Sequence, residues 1–215
     1  RLGTAGIGAT VGKQVSTNAG IALLIVLVLQ LIYITIRFSN NLLYGIAVDI
    51  ALLHDVMVMV GLYSLLGLEV DSPFLAALLT VVGYSVMDTI VIFDRVRENK
   101  LLLKTMTFEK LINKSILQTM TRSIYTLLTV EICLFALLIF GGETLKIFAI
   151  ALIIGVTAGT YSSIFIACPF VVICEKWLSD KQSQKREERL AQLASAKKKV
   201  KKQSKSQSKK EKSDS

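Results

Sequence analysis

Five apolar runs, each about as long as a bilayer is thick, follow one another along the chain. The first covers Ala19–Ile36, the second Ile46–Leu66, the third Phe74–Phe93, the fourth Ile124–Phe140 and the fifth Ile147–Cys174. A helix of about 20 apolar residues crosses the hydrocarbon core. The pattern therefore predicts an all-α membrane protein, a five-span helical bundle. The fifth run is longer than crossing requires. It predicts a span that tilts, projects from the membrane or is interrupted near Pro169, whose missing backbone donor kinks a helix.

The polar connections between the runs set the orientation. Asp94–Ser123 carries Arg95, Arg97, Lys100, Lys104, Lys110, Lys114 and Arg122, and Arg37–Tyr44 carries one basic residue. Gly67–Ser72 carries none, Gly141–Lys146 carries one, and Arg1 and Lys13 fall on the same side as these. The basic set is expected to be cytoplasmic, and the C-terminus with it. Within the long connection, Phe108, Leu111, Ile112, Ser115, Ile116, Thr119 and Met120 recur at three- and four-residue spacing. This predicts an amphipathic cytoplasmic helix over about 107–122, lying along the inner interface.

Composition excludes a soluble domain. Hydrophobic residues make up 53% of the 215-residue chain, and mean hydropathy is +0.58. The net charge of +9 belongs to one end: Glu175–Ser215 holds 14 Lys and Arg against 6 Asp and Glu. Glu175–Ala196 reads as helical, with Trp177 at the interface. Lys197–Ser215, almost all Lys, Ser and Gln, reads as a disordered tail. Such a tail suits anionic lipid or the ribosome; nothing in it calls for DNA. Residues 1–18 read as the end of an extracytoplasmic region, 19–178 as the transmembrane bundle and 179–215 as the basic cytoplasmic tail. The chain begins at Arg1, with no signal-peptide layout, as expected of a piece whose upstream part is missing.

Cys133, Cys168 and Cys174 lie in apolar runs, there is no C-x-x-C, and His54 is the single histidine. Neither a disulfide framework, a metal site nor a cofactor is expected.

The candidate chemistry lies inside the spans. Asp88 is the one charged residue between Phe74 and Phe93. A carboxylate at such a depth costs roughly 3 kcal/mol even on the lenient insertion scale, and such residues commonly serve ion or proton movement. Tyr84, Asp88, Val91 and Arg95 share a helix face, flanked by Ser85 and Thr89. Together they suggest a water or proton path. Asp49, His54, Asp55 and Glu131 are further titratable groups within spans. Arg122 leads a face through Tyr125, Thr126, Thr129 and Cys133. Glu131, nine residues from Arg122, falls about half a revolution away. The two cannot both point at Asp88, and Arg122 is the favoured partner. In the fifth span Gly155 and Gly159 form G-x-x-x-G, with Ser163 following, a spacing that lets helix backbones approach closely. Asp55 and Asp88 on adjacent spans raise the alternative of an intramembrane aspartyl protease, but no G-x-G-D occurs, and no enzyme activity is expected.

Six ordered motifs carry a family resemblance. They are Ala51-Leu52-Leu53-His54-Asp55, Gly83-Tyr84-Ser85-Val86-Met87-Asp88-Thr89, Phe93-Asp94-Arg95-Val96-Arg97-Glu98-Asn99, Gln118-Thr119-Met120-Thr121-Arg122, Phe140-Gly141-Gly142-Glu143 and Gly159-Thr160-Tyr161-Ser162-Ser163-Ile164-Phe165. In order and spacing they resemble the SecF family of bacterial protein-export membrane proteins, over roughly Gly8–Leu178. The resemblance implies half of a resistance-nodulation-division (RND) type unit. Six spans and a large extracytoplasmic domain are usual, of which the first span and nearly all of that domain are absent here. It implies SecD and the SecYEG channel as partners, an exported polypeptide as substrate, and proton motive force as the energy source. By motif match it implies Asp88 and Arg122 as the proton-coupling residues, in a bacterial inner (plasma) membrane, or alternatively a thylakoid or plastid membrane. Tyr84, Ser85, Thr89, His54, Asp55 and Glu131 remain a secondary polar or proton path. A small-molecule efflux permease of the same superfamily is the alternative function. Three departures stand out: Asp49 and Glu131 where the family usually has uncharged residues, Ala9 in place of a proline before Thr10-Val11-Gly12, and the length of the lysine tail.

Overall fold

The computed structural model describes residues 2–38, 41–68, 72–103, 106–186 and 189. The described residues form helices and no strand: α1 (Leu2–Arg37), α2 (Leu42–Leu65), α3 (Ser72–Leu102), α4 (Phe108–Phe140) and α5 (Glu143–Ser162), followed by a π-helical turn over Ser163–Ala167. Five helices are long and apolar enough to cross a membrane, the fifth candidate running from Leu145 to Arg186. The chain divides into two units, residues 1–172 and 173–215. In the second, residues 173–186 are helical, and Lys181 Nζ lies 3.9 Å from the centre of the Trp177 ring. The expected disordered tail over Lys197–Ser215 lies outside the described residues.

Local chemistry sets the helix ends. Asn41 caps α2, its side chain accepting from the Leu43 N–H at 3.2 Å. At the other end Gly67 takes φ 65°, and the Gly67 and Leu68 N–H groups return to the Ser64 and Tyr63 carbonyls. That is the left-handed glycine closure that caps orphan carbonyls. Ser72-Pro73 opens α3, where the missing proline donor is harmless. The π turn stands immediately before Pro169. Pro169 has no N–H for the Phe165 carbonyl, and widening of the preceding turn lets the helical path continue. Cys168 Sγ donates to the Ser163 carbonyl at 3.2 Å within this turn.

Helix α1 begins at Leu2, and its membrane-length stretch, Thr17–Arg37, agrees with the expected span Ala19–Ile36. Two boundaries differ from the sequence reading. Helix α3 runs past Phe93 to Leu102. The stretch 107–122, expected as a separate helix along the inner interface, is the first half of α4. No glycine or proline interrupts Phe108–Phe140. A continuous helix also keeps backbone hydrogen bonds satisfied as the chain enters hydrocarbon. Its Leu111, Ile112, Ser115 and Thr119 are buried.

Helix α5 is the most enclosed of the spans and packs on α2, α3 and α4; α1 and α4 are mostly exposed. Two apolar clusters form the core. One gathers the stacked and edge-on rings of Phe38, Tyr44 and Phe93 with Ala51, Leu52 and Val171. The other gathers Met59, Tyr63, Phe74, Val81, Leu152 and Val156. Along α2, Asp55 separates Leu52 of the first from Met59 of the second, so a polar layer lies between two dry ones.

Candidate functional site: two carboxylates on either side of helix α3

Close approach of α5 to α3 builds this layer. A Cβ on Gly155 would collide with Val81 and meet Met59 Sδ at 2.7 Å, and one on Gly159 would meet Ser85 Cβ at 2.9 Å and its Cα at 3.3 Å. The G-x-x-x-G face therefore meets α3 directly at Ser85. Ser163, one turn on, shares a 2.8 Å hydrogen bond with Thr89.

On the α2–α5 side of α3, Asp55 is 1% exposed. Its Oδ2 accepts from Ser85 Oγ at 2.6 Å and from Ser162 Oγ at 2.9 Å. Its Oδ1 lies 3.2 Å from His54 Nδ1. The His54 ring reaches outward into a groove shared with Val58, Thr157, Ala158 and Tyr161. Asp55 is thus a fully engaged carboxylate that orients an imidazole.

On the α4 side, Asp88 is held differently. Its Oδ1 accepts from Ser123 Oγ at 2.6 Å. Its Oδ2 is buried and has no hydrogen-bond partner among the described residues. Arg122, adjacent to Ser123, is exposed. It is close enough to Asp88 to act on it through its charge; the direct contact to Asp88 is made by Ser123. Glu131 does not reach Asp88. Its Oε1 accepts from Thr157 Oγ1 of α5 at 3.0 Å. Thr160 of α5 lies near the Tyr84 hydroxyl, its own hydroxyl donating to the Val156 carbonyl at 3.2 Å. Asp49, on α2, keeps one buried oxygen without a partner among the described residues.

The structure therefore brings Asp88 together with Ser123, with Arg122 in range by charge but not in contact, joins Ser85 and His54 to Asp55, and sets Thr89 against Ser163. Two residues that sequence reasoning passed over prove to be direct partners, Ser123 and Ser162. Ser123 follows Arg122 at the mouth of an apolar run. Ser162 is half of a serine pair inside one, and that pairing was the available signal. At the end of the bundle beyond Asp88, Arg95 Nε donates to Gln118 at 2.7 Å, and Asn99 Nδ2 donates to Ser115 and Gln118, both at 2.8 Å. Arg37 pairs with Asp94 at 3.0 Å. These contacts fasten α3 to α4 and to α1. Among the described residues, no three His, Cys, Asp or Glu side chains converge as metal ligands.

Five membrane-length helices around a buried polar layer define a multi-pass, all-α membrane protein. Residues 2–177 match the family described as "Protein export membrane protein SecD/SecF, C-terminal". The chain is 49% identical over 177 residues to protein translocase subunit SecF of Anaerolinea thermophila, which covers 79% of this chain and 58% of that protein. It is 43% identical over 178 residues to protein translocase subunit SecDF of Thermus thermophilus, covering 83% of this chain and 24% of that one. A crystal structure of SecDF in its super-membrane-facing form superposes with a TM-score of 0.74 at 43% identity, over 79% of this chain and 23% of that chain. The chain belongs to the SecD/SecF family of protein export membrane proteins. It spans a little over half the length of the SecF relative and about a quarter of the SecDF relative.

Proposed function

We propose that this chain acts in protein export as the SecF-side half of a proton-driven unit. A SecD-type half is its partner, the SecYEG channel its attachment, and an emerging polypeptide its load. The observation that carries this reading is the provision around Asp88. An acid inside an apolar span has one oxygen held by Ser123, the other buried without a partner among the described residues, and the charge of Arg122 within range on α4. A carboxyl in that setting can bind and release a proton without first breaking its hydrogen bond to Ser123. It engages Arg122 more strongly when ionised than when protonated, so proton binding biases how α4 sits against α3. One proton crossing 100 mV supplies ~2.3 kcal/mol, comparable to the gap between two packed states of a domain. The exposed sides of α3 and α4 around Asp88, Gly83 and Met87 on one helix and Tyr125 and Thr129 on the other, offer the surface for the SecD-type half. The basic side of the bundle is cytoplasmic in this reading, and the lysine tail meets anionic lipid or the ribosome there.

The test is Asp88→Asn in a host depleted of its own SecF and supplied with this chain and a SecD-type partner. Asn keeps the size and the acceptor for Ser123 but cannot titrate. Assembly is expected to be unchanged and gradient-stimulated export to be lost. Full stimulation by the Asn variant would overturn the reading.

A further inference from the structure

Glu131 is a second costly acid that the coupling scheme leaves unused. It is the one charged residue between Ser123 and Phe140. Half-buried at mid-span, it is a carboxylate at a depth where such groups are costly and commonly functional. Its surroundings are ordered. Thr157 of α5 donates to Glu131 Oε1. Three residues further along α5, Thr160 lies near Tyr84, its own hydroxyl donating to the Val156 carbonyl at 3.2 Å, so a proton passing Thr160 requires that hydroxyl to turn. Tyr84 lies within electrostatic range of both Asp88 and Glu131.

The register of α3 against α4 places these groups in sequence along the membrane normal. The helices run antiparallel, pinned by Asp88 with Ser123, Arg95 with Gln118 and Asn99 with Ser115. Continued past Ser123, that register sets Glu131 level with Thr80, one turn beyond Tyr84, while Asp88 is one turn before it. Each four-residue step is about 6 Å. Glu131 therefore stands about 12 Å from Asp88, toward the end where α3 begins and α4 finishes. From Ser72 to Asp88 is roughly 24 Å of helix, and Glu131 divides that distance.

The geometry points to Glu131 as a relay carboxyl that takes a proton from the extracytoplasmic side and passes it to Asp88 by way of the Tyr84 hydroxyl and the threonine hydroxyls of α5. This rests on the proton-coupling reading of Asp88 given above. The step balances without any redox partner. The Glu131 O–H bond breaks and an O–H bond forms on Asp88, so Glu131 ends ionised and Asp88 neutral. Tyr84 accepts one proton as it gives up another. The groups facing Glu131 are few. Helix α3 presents Tyr84, with Asp88 beyond it, and α5 presents Thr157 and Thr160. Arg122 lies on the opposite face of α4. His54 of α2 reaches the same side of α5 through the groove it shares with Thr157.

The experiment measures gradient-stimulated export against extracytoplasmic pH, with the SecD-type partner co-expressed. Glu131→Gln keeps the Thr157 acceptor and removes only the titration. It is expected to lower the stimulated rate by roughly tenfold, the small end of what a positioned proton-transfer group contributes, and to flatten the pH profile. Glu131→Asp should restore the profile, and Tyr84→Phe should resemble Glu131→Gln. If Asp88→Asn abolishes stimulation while Glu131→Gln and Tyr84→Phe keep the wild-type rate and profile, the relay is refuted and the coupling reading stands. If Asp88→Asn itself retains full stimulation, the coupling reading fails and the relay falls with it. Should Glu131→Gln fail to accumulate in the membrane, Thr157→Val carries the test: a displaced profile supports the relay, and an unchanged one overturns it.

Discussion

At the scale of single residues, Asp55 and Asp88 show how neighbours decide what a buried carboxylate is for. Asp55 accepts from two serines and rests on an imidazole, so its lone pairs are largely used and it behaves as a fastening. Asp88 has one serine and one buried oxygen with no partner among the described residues, so it keeps an acceptor in reserve. The partners of Asp88 can be separated by substitution. Ser123→Ala removes one charge-assisted hydrogen bond, worth about 1.5–3 kcal/mol. Gradient-stimulated export should fall but survive, with Ser123→Thr close to wild type. If coupling brings the Arg122 fork onto the ionised Asp88, a contact not made in this structure, Arg122→Lys should lose most of the stimulation despite keeping the charge. Export rates for the three variants at matched protein levels check both expectations. Arg122→Lys performing as wild type would reduce the role of Arg122 to charge alone.

At the scale of elements, the seam between α3 and α5 is held by absence of side chain. Gly159→Ala would drive a methyl group against the Ser85 backbone, with Cα only 3.3 Å away. Overpacking of this kind costs about 1–3 kcal/mol. A lowered unfolding midpoint in detergent is expected, together with weakened export, since Ser85 also serves Asp55. An equivalent substitution at Gly61, where nothing lies within 4 Å, should leave the midpoint in place. The spans themselves were legible from hydrophobic runs, because length and apolarity are properties of the chain alone. Their ends were less so: charged residues in the last turns of α3 and the first turns of α4 look like loop but are helix, held by Arg95, Asn99, Ser115 and Gln118 across the gap. Asp88 and Asp55 announced themselves by their cost in an apolar run. Ser123 and Ser162 did not, because serine is cheap there and only the helix register shows which one faces an acid.

At the scale of the whole molecule, the uneven distribution of basic residues makes orientation testable. A tag in the Gly67–Ser72 connection should be labelled in intact cells, and one at Lys100–Lys104 only after permeabilisation. The reverse pattern would invert the bundle and with it the direction of proton flow. The orientation matters because of α4, which runs 33 residues from Phe108 to Phe140 without a glycine or proline. It touches Asp88 at Ser123, near its middle, and is bolted to α3 by polar contacts on one side of that point. Such a helix is a rigid beam resting on a fulcrum. The arm away from those contacts, from Ser123 to Phe140, is about 26 Å long. A rocking of ~5° about the acid, set off by one hydrogen bond made or lost, swings the outer tip by about 2 Å, from that same beam length. Under the proposed coupling, a proton that travels a few ångströms would in this way be geared to a mechanical stroke at the membrane surface.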